Sequence, residues 1–470
     1  MQEQSNKITH IFKHYVMKKS YLMLLLVAMF ALVACNYNES EVVVDTTQTN
    51  ENAIIDGKVS LTRAISNADF VFRNTEEHGN KTRKIKSVDV LKRANANSRV
   101  TRTSSLDEQD ALAYVVNYDN NEGFAILAAT TKLPPVISIG DEGNFNTEGF
   151  VNFIQNNGAT RSEEEIHPAQ EVQYAVISNS LLLQSAGYGD LLLRGVDTTM
   201  ILKCLPLVKT KWSQDPPYNY YSPFLPNSST TKSAAGCVPV AGAQTLASLC
   251  YHHNWRPTVQ LSDEYYMDWY IINRIIFNDI IEFLYHDNST NALAVASFIR
   301  AVGEDVNASY GTDTSAHLSD LENTYEKLGM LSVRYGNEGT FLPVTREKIF
   351  DMIISENYPV TTLAQRETRG TTKGHAFVLD GWLRLEYSLI SFNNIVVSPG
   401  VMDALEDNLQ RSLDLVHVNF GWGGSCDGYY LPDAFDLNAD KYREYAEDDD
   451  DPSNMSYVYD LDILYTIYSL

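Results

Sequence analysis

Apolar positions along the chain change period several times, and each change marks an element. The stretch "AISNADFVFRN", residues 64–74, spaces its apolar residues as one face of an amphipathic helix. From Ala111 the pattern turns β-rich: Ala111 to Tyr118 and Phe124 to Ala129 flank Asp119, Asn120, Asn121 and Gly123, which predicts a hairpin. "LPPVISIGD" adds a short third strand after two prolines, and the polar residues 156–171 read as a surface connection whose end can begin a helix. Further on, Val238 to Tyr251, Glu264 to Tyr285 and Asn291 to Val302 carry helical apolar spacing. After Gly329 the segments become strand-like: "MLSVRYG", "AFVLDGWLRL", "NNIVVSPG" and "LDLVHVNFGWGG". Helices first and strands later predict an α+β domain over 205–470, with chemistry where its halves meet. A smaller α+β unit over 54–160 precedes it, joined by a connection over 161–204.

The first 35 residues do not belong to the fold. Lys18 and Lys19 precede an apolar run of fourteen residues, Tyr21 to Ala34, too short to span a bilayer comfortably but suited to a signal peptide. The run ends in "LVAC", which resembles the lipobox of bacterial lipoproteins and makes Cys35 the expected lipidation site. The chain is thus expected to be exported, and either lipid-anchored to a bacterial membrane, the outer one favoured, or secreted after processing. Residues 36–53 read as a polar tether.

Composition narrows the function. Sixty acidic residues against 36 basic ones give a formal net charge of −24, which disfavours nucleic-acid partners because phosphates select Lys and Arg. The acidic run Glu447 to Asp451 is a solvated loop without EF-hand spacing. Metal hydrolysis is disfavoured too: H-E-x-x-H is absent, and His252 and His253 are adjacent, about 100° apart on a helix. No cofactor is expected. Besides Cys35, the chain has Cys204, Cys237, Cys250 and Cys426, with no CxxC pair, so a free thiol is expected.

Cys237 opens "GCVPVAGAQTLASLC", an apolar run with a single Gln in it. A thiol there is ordinarily packing. Yet Gly236 ends a loop where a helix can begin, and free N–H groups at a helix start favour a thiolate and can hold an oxyanion. Pro239 falls near the second helical position, where proline is tolerated. A base is needed, and His375 lies 138 residues further on in "TTKGHAFVLDGW", after Gly374 and before Asp380, against roughly 130–150 in papain-like enzymes. Asn419, in "HVNFGWGGSCDGYY", can orient an imidazole, and the Gly421, Trp422, Gly423, Gly424 turn places an indole over its neighbours. Gln214, in the Pro-bounded loop "KTKWSQDPPYN", offers a side-chain amide for an oxyanion. Each has a plain alternative: a core histidine, a structural turn, a surface glutamine.

Taken together, "KTKWSQDPPYN", "AAGCVPVAGAQTLA", "GHAFVLDGW" and "HVNFGWGG", in this order over residues 209–424, resemble the streptopain family of cysteine peptidases, family C10. The resemblance implies a papain-like fold with Cys237 as nucleophile, His375 as base, Asn419 as orienter and Gln214 as oxyanion donor, supported by Gly236, Gly374, Trp422 and Gly423. The segment around "GFAILAATTKLPPVISIGD" resembles the family's propeptide. Its presence implies an inhibitory prodomain over 54–160, protein or peptide substrates, and activation by cleavage within 160–208, with Arg194 and Lys203 as candidates. Phe420 departs from the family pattern, which often has Trp after the orienting Asn. The competing readings are a catalytically silent surface lipoprotein that binds peptides or host proteins, and a transpeptidase or amidase on the same machinery.

Overall fold

Helix and strand starts follow local chemistry. The Ser60 side chain accepts from the N–H of Arg63 at 3.4 Å and caps α1 (Leu61–Thr75), which buries Ala64, Ala68, Val71 and Phe72. Strands β1 (Ile85–Arg93), β2 (Val100–Thr103), β3 (Ala111–Tyr118), β4 (Phe124–Ala128) and β5 (Val136–Gly140) follow as antiparallel sheet in the order β2-β1-β3-β4-β5. The β3–β4 hairpin is the one its sequence predicts: Asn120 and Asn121 take φ of 57° and 61°. This computed structural model describes residues 58–76, 82–93, 100–103, 111–155, 166–182, 198–272, 290–336, 346–368, 371–388, 410–435 and 462–469, all within the compact unit Glu51–Leu470. Cys35, Arg194, the run Glu447–Asp451, "NNIVVSPG" and most of the Glu264–Tyr285 segment lie outside the described residues.

The connection drawn over 161–204 is more structured than its polarity suggests. Helix α2 (Thr147–Gln155) is followed by α3 (Pro168–Leu182), which is buried from both sides. Tyr174 packs edge-on to Phe145 and Phe150 at 5.6 Å each, while Gln173 donates to the hydroxyl of Tyr430 at 2.8 Å. Strand β6 (Thr198–Cys204) then pairs with β9. Lys203 is exposed but sits in that paired strand, opposite Leu383.

In the second half, α4 (Cys237–His253) buries every residue from Val238 to Cys250. A helix apolar on all sides belongs in the middle of a domain, and α5 (Thr290–Asp305) and α6 (Leu318–Lys327) flank it. The rest is sheet, β7 (Leu331–Gly336), β8 (Val360–Thr368), β9 (Thr371–Ser388), β10 (Gln410–Asn419), β11 (Gly428–Tyr430) and β12 (Asp462–Ser469), with α7 (Arg346–Ile354) preceding β8. This α+β arrangement, a helical half plus an antiparallel β half, is the papain-like class expected from the sequence.

One sheet runs through both halves in the order β2-β1-β3-β4-β5-β11-β10-β9-β8-β12-β7, with β6 also pairing β9. The seam is β5 against β11, where Gly428 pairs with Gly140 and Tyr430 with Ser138. Only glycine fits at 428: a Cβ there would lie 2.1 Å from the carbonyl oxygen of Ile139.

Candidate active site

Cys237 is the first residue of α4. Gly236, with φ +97°, turns the chain into the helix, and a Cβ on it would approach the Thr314 methyl at 2.8 Å. Pro239 is the third helical position rather than the second, still in the first turn where its missing N–H costs nothing. The thiol is half-buried. Burial raises its pKa, while the backbone N–H groups of Ala376, Val238 and Cys237 itself pull it back down. Two of these donors are the helix start foreseen above, and the third belongs to the residue after His375. Gln214 is tied alongside: its carbonyl accepts from the N–H of Ala235 at 2.9 Å, two residues before the cysteine. Cys250, at the far end of the helix, is buried and accepts from Arg256 at 3.6 Å. Among the described residues Cys204, Cys237, Cys250 and Cys426 are all free thiols.

His375 lies on β9, where alternation puts its side chain on the face of Phe377 and Leu379, opposite Ala376 and Val378, which pack toward α4. The imidazole is 1% exposed; Nε2 donates to the carbonyl of Phe420 at 2.7 Å, and Nδ1 has no hydrogen-bond partner. Burial drives its pKa down to about 4, against a smaller upward pull from that carbonyl. The imidazole is therefore held neutral, with no hydrogen bond to the Cys237 thiol.

Asn419 does not touch His375 here, which departs from its expected orienting role. Its Oδ1 accepts from Gln244 Nε2 at 2.9 Å and from the N–H of Gly421 at 3.0 Å, and its Nδ2 donates to the carbonyl of Thr210 at 2.9 Å. What it shapes is the turn that offers the Phe420 carbonyl. The preceding peptide is held by Asp427, whose Oδ1 accepts from the N–H of Phe420 at 2.7 Å. Burial raises the Asp427 carboxyl to about 7, with the Phe420 N–H and His417 opposing and Asp141 and Asp380 adding. Phe420 itself is buried, 5.3 Å from Phe377, and stacks with His375 at 6.3 Å.

Trp422 carries the cover. The ring of His167, the residue before α3, stacks on it at 3.9 Å and 3°, and lies edge-on to His375 at 5.9 Å. His167 Nδ1 accepts from the N–H of Ala169 and so caps α3; burial, and then the neighbouring His375, bring its pKa down to about 3. Gly423, with φ +64°, donates its N–H to the Trp212 carbonyl, and Gly374 is exposed on β9.

Sequence reasoning did not assign roles to Gln244, Asp427 or His167. Gln244 had a signal: it is the lone amide in an apolar helix, fully buried, and its Oε1 accepts from Thr210 Oγ1 at 2.9 Å and the Trp212 N–H at 3.1 Å. Asp427 lies only seven residues after Phe420, whose N–H it accepts, whereas His167 meets ring partners distant in the chain.

A thiol at a helix start, facing the N–H of the residue after a histidine on an antiparallel strand, joins the elements a papain-like cysteine peptidase uses. Residues 212–430 match the Peptidase C10 family and residues 58–156 match the Spi protease inhibitor family. The peptidase region of the chain belongs to family C10 of cysteine peptidases, the streptopain family, and is preceded by an inhibitor-type prosegment. Streptopain of Streptococcus pyogenes serotype M1 is 23% identical over 352 residues, covering 69% of this chain and 75% of the relative. Among solved structures, a Cys-to-Ala mutant fragment of Prevotella intermedia prointerpain A is 19% identical, with TM-score 0.41 over 80% of this chain and 98% of its own. Active wild-type interpain A from the same organism is 21% identical, with TM-score 0.34 over 58% and 96%.

Proposed function

We propose that this chain is an endopeptidase zymogen in which Cys237 and His375 perform acyl transfer once the prosegment leaves. The observation that carries the reading is the Cys237 thiol at the start of α4, faced by the N–H groups of Val238, Cys237 and Ala376, one residue from His375. For catalysis His375 leaves the Phe420 carbonyl and takes the thiol proton. The Cys237 sulfur attacks a substrate carbonyl, with the Cys237 N–H and the Gln214 amide as oxyanion donors. Protonated His375 then gives its proton to the leaving amine, and the amine departs from the thioester. Water, deprotonated by His375, attacks the thioester and releases the acid and the thiol.

Latency follows from two features of the site. The imidazole is engaged elsewhere, and His167 lies over Trp422 beside it. We assign export and lipid attachment at Cys35 on the apolar run and "LVAC". The deciding experiment is casein hydrolysis and E-64 labelling of the processed protein. Wild type is expected to cleave and to label, and Cys237→Ala to do neither; casein cleavage by Cys237→Ala at the wild-type rate would overturn the reading. A processed wild type that does not label would favour the silent binding protein instead. Cys35→Ser is expected to abolish metabolic labelling with a fatty acid.

A further inference from the structure

A buried imidazole between two carboxylates lies away from Cys237, where prosegment and peptidase half meet; the Asp380 side chain is fully buried and that of Asp141 is 40% exposed. His417, on β10, is 3% exposed. Its Nδ1 lies 2.6 Å from Asp380 Oδ1 and its Nε2 lies 2.9 Å from Asp141 Oδ2. Carboxylates only accept, so an imidazole with both nitrogens aimed at carboxylate oxygens donates twice and is an imidazolium. Asp380 belongs to the peptidase half and Asp141 to the prosegment, 276 residues from the histidine it meets.

The peptidase side of this contact is prebuilt. The β9–β10 register runs from His417 opposite Gly381 to Val418 opposite Leu379, leaving Asp380 as the extra residue of a β-bulge. A bulge re-aims its side chain, and here the carboxylate is delivered to His417. Its other oxygen accepts from the Val208 N–H at 2.8 Å, while its backbone carbonyl accepts from the Leu207 N–H at 2.8 Å. The prosegment side consists of the two residues after β5. The N–H of Asp141 donates to the Asp427 carbonyl at 3.0 Å, and Glu142 pairs with Lys211. Tyr429 packs on the imidazole at 4.9 Å; Asp427, Arg83 and Cys204 complete the charged and titratable surroundings.

We propose that His417, held by Asp380, is the seat that locks the prosegment in place, taking a paired strand that ends in an acidic pair, Asp141 and Glu142. Pairing of β5 with β11 sets the register, and the acidic pair closes it. When the prosegment leaves, His417 keeps Asp380 and gives up one carboxylate, so the seat survives in the mature enzyme while its occupant does not. The inference rests on the prosegment acting as the inhibitor of this peptidase.

The test uses the full chain in two forms. In the Cys237→Ala background, which cannot process itself, backbone hydrogen exchange is followed at residues 138–140 and 428–430. Asp141→Asn and Asp141→Ala are expected to speed exchange there tenfold or more, Glu142→Gln by less, and Glu148→Gln not at all. Glu148 is an exposed prosegment carboxylate near Arg102, outside the seam. Exchange in Asp141→Ala equal to the parent, or equally raised by Glu148→Gln, would overturn the proposal. With Cys237 intact, the Asp141 variants are expected to gain casein activity sooner than wild type, and equal rates would also overturn it. If wild type never gains activity after trimming, the peptidase reading fails while the exchange experiment still decides the seat.

Discussion

Two buried histidines on neighbouring strands are treated in opposite ways. His417 has both nitrogens on carboxylates, and the pull of Asp380 and Asp141 outweighs burial and holds its pKa well above 6.5. His375 has one nitrogen on a carbonyl and one on nothing, and burial carries it down to about 4. The same side chain is fixed as a cation where it joins two segments and kept neutral where it is proposed to move protons. An imidazole with every hydrogen bond satisfied is anchored; one with an orphaned nitrogen, a loss of about 1–3 kcal/mol for a buried polar group, is ready to be recruited elsewhere.

The comparison can be broken most decisively at His375, the proposed base. His375→Ala in the processed protein is expected to lower kcat by roughly 10²–10⁴-fold, measured on casein or a peptide ester. The matching change at the anchored site should act on stability instead. Asp380→Ala leaves His417 facing Asp141 alone and is expected to lower zymogen stability by about 3–5 kcal/mol in denaturant unfolding. Equal loss of stability from His375→Ala would erase the distinction.

A smaller effect is expected at Gln244, which touches neither histidine but holds Asn419, Thr210 and Trp212. Gln244→Ala should cost about 1–3 kcal/mol, since it leaves buried partners unsatisfied. The pH dependence sharpens the contrast last. His375 has a folded pKa of about 4, below its ordinary 6.5, so its contribution to zymogen stability is complete above about pH 6.5 and is lost as pH falls through about 4. The loss is at most about 3 kcal/mol. In the Cys237→Ala zymogen, further substitution of His375→Gln should flatten the fall in Tm over that range. His417 has the reverse sign: its contribution is present below pH 6.5 and is lost only at high pH, as the solution passes its raised pKa.

Much of the frame was readable from residue patterns. The β3–β4 hairpin, the helix from Cys237 and the β9 and β10 strands lie where local spacing and turn residues put them, because those signals act over a few residues. The Gln214 loop is joined through its backbone carbonyl to Ala235, two residues before Cys237. What local pattern could not convey is pairing across the chain. Asn419 looks like an orienter by position, yet its amide is taken by Gln244 and Thr210. The polar stretch ending at Glu171 reads as a connection, but Phe145, Phe150 and Tyr430 bury the helix it begins. His167 carries no motif and Asp141 only ends the propeptide-like segment; their meaning comes from Trp422 and His417, more than 250 residues away in the sequence.

The β5–β11 seam has a cost that appears only after activation. Losing the prosegment strips a neighbour from β11 and turns it into a raw sheet margin, the kind of surface on which a second chain can template itself. The margin is short, only Gly428–Tyr430, and it is closed off by Leu431 and the turn at Pro432. Its brevity and the proline leave little length for a foreign strand to follow, so the mature enzyme gains a free margin without gaining a sticky one.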